Sequence, residues 1–464
     1  MQRFISVLTL AALATVPAAA GEGDGLFRVT RVSDRIVVFT DVTPWESNHV
    51  VIVTERGLVL FDPGHSPLMG RLIREAVARE LGRDRFAYVV DTHEHWGHTW
   101  GGAAFPEAIV IGHELAVPGM KAEAATRAAR EQRIRELTEN ARTRLASLDP
   151  ASEGGRAAKL QAEHLERIAR GLAEPGMVVR LPDLTFSERM DLDLGDVTLR
   201  MHYLGRGHSP SDIAVVVPEE RAALMGCFFF EQDGLPTFGA MPKLDPDRWL
   251  AVLSAVLDGE PPVERVILGQ HSIWPRARLA AMRDAIAAMW TSVKASDAAG
   301  VSLATAIERL PAGATPAFVR ESGASGERIA TYTRTAATAL WRQLKRSAAD
   351  EIGRTLDASG IAAATARFKE VRADNAYLVD EAEVNLLGYR YLQAGATDAA
   401  IAVFEMNAAY FPGSWNVHDS LGEACAAKGD RARAVEHFRR SLELNPANTN
   451  ATAALERLAA PTPK

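Results

Sequence analysis

Between about residues 26 and 111, short apolar runs rich in β-branched side chains alternate with polar turns. Residues 35–40, 50–54, 57–61, 86–90 and 108–111 have the length and composition of buried strands. Between 71 and 81 the period changes, and Leu72, Ile73, Val77 and Leu81 fall on one side of a helix. The mixture predicts a layered α/β domain. Residues 113–172 are rich in Ala, Glu, Arg and Leu and nearly free of strand formers. They read as two or three helices around the break Asp149-Pro150-Ala151-Ser152, a helical insertion at about 113–175 of a kind that covers a site. Strands resume at 189–194 and 197–204 around Gly195-Asp196, a hairpin signal, and then at 221–226 and 263–268. Helices are expected at 247–257 and 276–295.

Beyond 299 the strand signal ends. Pro311, Gly313, Pro316, Gly323 and Gly326 mark a linker and helix at 299–345, before a wholly helical remainder at 346–464. Within it Leu387, Gly388, Gly395, Ala400, Phe404 and Pro412 recur as Leu421, Gly422, Gly429, Ala434, Phe438 and Pro446. One period of 34 residues relates all six pairs. Small residues let paired helices approach, bulky ones fill the gap and each proline closes a hairpin. The pattern resembles the tetratricopeptide repeat, at about 381–414 and 415–448. That resemblance implies a groove for a protein partner, with helices from 348–368 completing the stack.

The first twenty residues read as a secretory signal peptide: Arg3, an apolar run at 4–16, Pro17 and the small-residue site Ala18-Ala19-Ala20. This predicts an exported protein, periplasmic or secreted, whose first domain spans 21–298. No later segment is apolar for long enough to span a bilayer. A net charge of -7, with both signs mixed along the chain, argues against nucleic acid or an anionic membrane as partner. Cys227 and Cys425, the only cysteines, fall in different predicted domains, so no disulfide framework is expected.

The chemistry concentrates in Asp91-Thr92-His93-Glu94-His95-Trp96-Gly97-His98, which follows an apolar strand. In extended chain, positions two apart point the same way, so His93 and His95 reach one metal while His98 projects from the following turn. Three more donors stand at or just past the ends of apolar strands: His208 in Gly205-Arg206-Gly207-His208, Cys227 after Leu224-Met225-Gly226, and His271 after Leu268-Gly269-Gln270. A sheet brings such ends to one edge, and a thiol among imidazoles suits zinc.

With Asp62 in Phe61-Asp62-Pro63-Gly64, this order of blocks resembles the metallo-β-lactamase superfamily over about 26–295. The resemblance implies an αββα sandwich and a hydrolase using one or two zinc ions, with metal-bound hydroxide attacking an ester, lactone, amide or sulfate bond. It also implies that His93, His95 and His208 hold a first ion, that a second sits near His98, Cys227 and His271 with Asp62 as a nearby acid, and that Asp62 and His98 are the catalytic residues. β-Lactams fall within this range of substrates.

Two positions depart from the pattern. Gly97 stands where the family usually has an aspartate before its third histidine, and Cys227 stands where many members have a bridging aspartate. His65, on the loop after Asp62, is the candidate to fill the gap. The position three residues after Cys227 is Phe230, where cysteine-containing zinc β-lactamases present a lysine. His113, His164, His202, His418 and His437 read as structural or exposed, and Cys425 as core. Trp96 and Trp100 line a pocket or pack beside the loop, and Arg206 or Lys243 meets an anionic group or solvent. The competing reading is a catalytically impaired member of the fold that acts as a binding scaffold through its repeats.

Overall fold

The computed structural model describes residues 25–42, 46–232, 235–237 and 244–459. The signal-like segment at 1–20 and Lys243 lie outside them. The described chain forms two compact units: one runs to Ala288 and takes in Ala312–Ala336, and the other comprises Met289–Pro311 and the chain from Ala337 onward.

In the first unit, seven strands pair in chain order: β1 Phe27–Arg31, β2 Ile36–Asp41, β3 Asn48–Thr54, β4 Gly57–Phe61, β5 Phe86–Val90, β6 Ile109–His113 and β7 Leu184–Phe186. The pairing is antiparallel up to β4 and parallel from β4 to β7. Parallel neighbours need crossovers, and helices supply them. Helix α1 (Pro67–Leu81) joins β4 to β5, and α2 (Trp96–Thr99) with a 3-10 turn joins β5 to β6. The helical insertion α3 (Ala116–Ala125), α4 (Arg127–Ala146) and α5 (Glu153–Leu172) joins β6 to β7.

The second sheet is built from β8 Arg189–Asp193, β9 Thr198–Tyr203, β10 Ile213–Val217 and β11 Ala222–Leu224. After a small hairpin (β12 Phe230–Gln232, β13 Leu235–Thr237) and α6 (Pro246–Leu257), β14 Arg265–Ile267 and β15 Ile273–Pro275 complete it, in the order β15-β14-β11-β10-β9-β8. Strands β8 and β9 form the antiparallel pair expected around Gly195-Asp196.

Residue alternation explains the layers. Ile36, Val38, Val50, Ile52, Val59 and Phe61 pack with Leu199, Met201, Ile213, Val215 and Leu224 between the sheets. Their neighbours Val37, Phe39, Val51, Leu58 and Leu60 pack instead with Met69, Leu72, Ile73 and Val77 of α1. The first sheet is therefore apolar on both faces, which is why its strands read as unbroken apolar runs. Ser66 caps α1 by accepting the Met69 N–H, Pro67 opens its first turn, and Gly82 ends it in the left-handed region at φ 62°. This is the αββα sandwich expected from the sequence.

Beyond α7 (Arg276–Ala298) the described chain is helical, as expected, except that Arg346–Ser347 pair in parallel with Tyr377–Leu378: its helices begin with α8 Leu303–Glu308, α9 Ala317–Arg320, α10 Gly326–Arg342, and α11 Ala348–Val371, which is broken at Gly360. Helices α12 Glu381–Gln393 and α13 Thr397–Tyr410 form one hairpin, α14 Trp415–Lys428 and α15 Arg431–Leu444 the next, and α16 Thr449–Ala459 follows. The repeated glycines sit where the helices touch. A Cβ on Gly388 would lie 2.4 Å from the Phe404 ring, and one on Gly422 2.9 Å from Phe438. Cys425 is buried with Leu421 and Phe438, as a core residue.

Candidate metal centre

The chemistry-bearing residues gather where strands of both sheets end. Asp62 follows β4, the histidine loop follows β5, His208 lies between β9 and β10, Cys227 follows β11, and His271 lies between β14 and β15. Backbone hydrogen bonds tie these loops together: Asp62 N–H donates to Val90, Gly64 N–H to the His98 carbonyl, Ile213 N–H to the Thr92 carbonyl, and Gly269 N–H to the Gly226 carbonyl. Gly226 has φ 51°, and a Cβ there would come within 2.6 Å of the Thr92 hydroxyl, so the cysteine loop closes on the histidine loop only with glycine. Asp62 and His271, each at φ 55°, adopt the left-handed region without being glycine, a strained state common at functional sites.

Within this edge the rings of His93, His95, His98 and His208 crowd together. His93 lies 4.8 Å from His95, 4.6 Å from His98 and 5.1 Å from His208, centroid to centroid. His95 Nδ1 is 2.9 Å from His208 Nε2, and His98 Nε2 is 3.3 Å from Cys227 Sγ. Among the described residues, His93, His208 and Cys227 each bring a donor atom within 4.8 Å of the others. His93 Nε2 is buried and has no hydrogen-bond partner in the protein. A buried imidazole nitrogen left unpaired beside a thiol and a second imidazole is a costly arrangement that a metal ion relieves, and two nitrogens with one sulfur suit zinc. The residues therefore fit the ion that the sequence implies.

Asp62 organises the loop rather than joining the donors. Its carboxylate accepts the Thr92 N–H at 2.9 Å and the Thr92 hydroxyl at 2.8 Å, and it stands 3.3 Å from His98 Nδ1. Burial lowers His93, His95 and His208, the last to about 3, so each ring is held neutral as ligation requires. Burial would lower His98 as well, but the Cys227 sulfur and the Asp62 carboxylate outweigh it and raise His98 well above the usual range. Burial, and the Asp62 charge after it, push the Asp91 carboxyl far up.

Several supports were not singled out from the sequence. Asp212 accepts the N–H groups of His208 at 2.6 Å and Ser209 at 3.0 Å and so shapes that loop, while burial pushes its carboxyl up to about 7. The available signal was an acid four residues after a candidate ligand, at the mouth of an apolar strand. The insertion grips the histidine loop. Glu123 of α3 accepts the Trp96 N–H, Arg130 of α4 stacks 4.7 Å from the Trp96 ring, and Gly119 leaves room for Glu94, whose carboxylate also takes the Ser211 hydroxyl. Trp100 is buried against Ile134 and Leu165 of the insertion, a packing role.

His65 and His271 are not among the three converging donors. His65 is buried with its ring 6.3 Å from Trp96 and 6.0 Å from His164. Its two ring nitrogens have no hydrogen-bond partner in the protein. His271 Nδ1 faces the Glu46 carboxylate at 3.4 Å. A Cβ on Gly97 would meet nothing within 4 Å, so the backbone there leaves room for a side chain to start. Phe230 stacks edge-on to His208 at 5.7 Å, an apolar wall beside the donors.

Residues 42–271 match the model of the metallo-beta-lactamase superfamily, and 415–448 match the tetratricopeptide repeat. Comparison with curated proteins returns no match. Similar solved structures include a metallo-beta-lactamase from Pontibacter korlensis, at 15% identity over 55% of this chain and 95% of that one, with a TM-score of 0.37. The stereoselective inverting sec-alkylsulfatase Pisa1 from Pseudomonas sp. aligns at 14% identity over 94% of this chain and 66% of that one, with a TM-score of 0.46. The DIM-1 metallo-beta-lactamase aligns at 16% identity over 55% and 94%, with a TM-score of 0.36. The chain thus carries a metallo-beta-lactamase superfamily domain followed by tetratricopeptide repeat structure.

Proposed function

We propose that this protein is an exported zinc-dependent hydrolase that cleaves an ester, lactone, amide or sulfate bond in a substrate with an apolar body. The observation that carries the reading is the unpaired, buried His93 Nε2 among donors from His208 and Cys227. His95, His98 and His271 are the further candidate ligands. A zinc ion bound there supplies Lewis acidity and lowers the pKa of water from about 16 towards about 7.

The chain's own residues do the rest. Asp62 holds the Nδ1 side of the His98 ring, and His98 Nε2, on the side of Cys227, holds or passes a proton when it is not itself a ligand. Phe230 beside His208 offers an apolar surface in place of a cation, which favours a neutral or apolar group over a carboxylate at that wall and ranks β-lactams below simple esters. The exported address rests on the segment at 1–20 alone. The repeats at 381–414 and 415–448 are proposed to hold a segment of a protein partner in their groove.

The test is turnover by the mature, zinc-loaded protein on chromogenic esters, lactones, amides, sulfates and cephalosporins. Chelation should abolish turnover and added zinc should restore it. A folded, zinc-loaded protein that turns over none of them would sink the hydrolase reading and leave the repeats as the functional part.

A further inference from the structure

The family pattern divides the donors between two ions, three histidines to one and His98, Cys227 and His271 to the other. The geometry crosses that division. Cys227 falls within 4.8 Å of both His93 and His208. The carboxylate that would help hold a second ion is missing at Gly97, where a Cβ would meet nothing within 4 Å, and the His65 ring packs against Trp96 and His164.

We propose that the site holds a single metal ion to which Cys227 is a ligand together with His93 and His208, a reading that rests on the metal-dependent hydrolase proposed above. The physical reason is charge. Two divalent ions a few ångströms apart repel strongly and are ordinarily held by anionic ligands between or beside them. Here the donor set contains one group that becomes anionic, the Cys227 thiol. The Asp62 carboxylate is already bonded twice by Thr92 and faces His98. Once the thiolate serves the ion shared with His93 and His208, a second ion would have only the imidazoles of His95, His98 and His271, with no anionic ligand among them. The contact of His271 with Glu46 decides nothing, because ligating histidines also present their other nitrogen to a carboxylate. A single divalent ion with one thiolate, by contrast, leaves a net charge of about +1, against about +3 for two ions with the same thiolate.

The test uses the full mature chain, stripped of metal and titrated with cobalt(II) alone, then loaded with one equivalent of zinc for X-ray absorption at the zinc edge. The thiolate-to-cobalt charge-transfer band should saturate at one equivalent and be absent in Cys227→Ser. The zinc spectrum should show one sulfur neighbour at about 2.3 Å. Gly97→Asp should raise the stoichiometry from one ion to two. Two equivalents bound by the natural chain, or a one-equivalent zinc spectrum with only nitrogen and oxygen neighbours, overturns the proposal. The zinc-edge measurement needs no variant, so a Cys227→Ser chain that fails to fold leaves the test intact. Hydrolysis is scored separately: one thiolate-bound ion without turnover supports this ligand set while defeating the hydrolase reading, and turnover with two ions does the reverse.

Discussion

The Asp62 carboxylate stands 3.3 Å from His98 Nδ1 while both its oxygens accept hydrogen bonds from Thr92, the residue just before His93. One acid thus fixes a histidine ring and the backbone at the start of the donor loop. Asp62→Ala should weaken zinc binding by roughly 10- to 100-fold, the usual cost of removing a group that orients ligands, and lower turnover at least as much. Competition with a chromophoric chelator measures the affinity. An unchanged dissociation constant would mean that the loop holds itself.

Glu123 reaches from the insertion to the Trp96 N–H and stands 3.5 Å from Arg130. Removing the acceptor leaves a largely enclosed backbone N–H unpaired, so Glu123→Ala should cost about 1–3 kcal/mol in urea unfolding. Because Trp96 lies between His95 and Gly97, metal affinity should fall with stability. A variant as stable as the parent and equally tight for zinc would show that the insertion merely lies over the loop.

His164 of α5 gives a pH signature. Burial lowers it from 6.5 to about 4 in the folded chain. Between those values the unfolded chain binds more protons, so stability rises with pH across the window, is fully present above 6.5 and is lost as pH falls towards 4. The difference corresponds to about 3 kcal/mol for this one group. His164→Gln should flatten the acid side of the stability profile measured by urea unfolding from pH 4 to 7, and a profile parallel to the parent's would refute the assignment.

In the repeats, Phe404 and Phe438 fill the spaces that Gly388 and Gly422 leave open. Phe438→Ala should destabilise the helical unit by about 3–5 kcal/mol. Gly388→Leu should be harmful for the opposite reason, since even a Cβ there would lie 2.4 Å from the Phe404 ring. Far-ultraviolet circular dichroism against urea checks both, and a transition unshifted by either change would contradict the packing.

Much of this was legible before any coordinates. Unbroken apolar runs marked β2 to β6, a change of period marked α1, and the 34-residue repeat marked the two helix hairpins. These signals are local, carried by residues close in sequence. The histidine loop was legible for the same reason, since three imidazoles in six residues after a strand have few other uses. Glu123, Arg130 and Asp212 went unremarked because a surface-type charge becomes a loop support only when a distant element folds over it.

The amino-acid sequence alone determined the elements, the order of the donors and the absence of a carboxylate at position 97, because these depend on residue identity and short spacing. Only the tertiary structure decided which donors meet. Cys227 reaches His93 and His208 because β11 and β5 end at one edge of the sandwich, whereas His65, much nearer to Asp62 in the chain, is drawn away to Trp96 and His164. Convergence of side chains more than a hundred residues apart is set by sheet pairing and by which ring fills which space, and neither is written in local sequence.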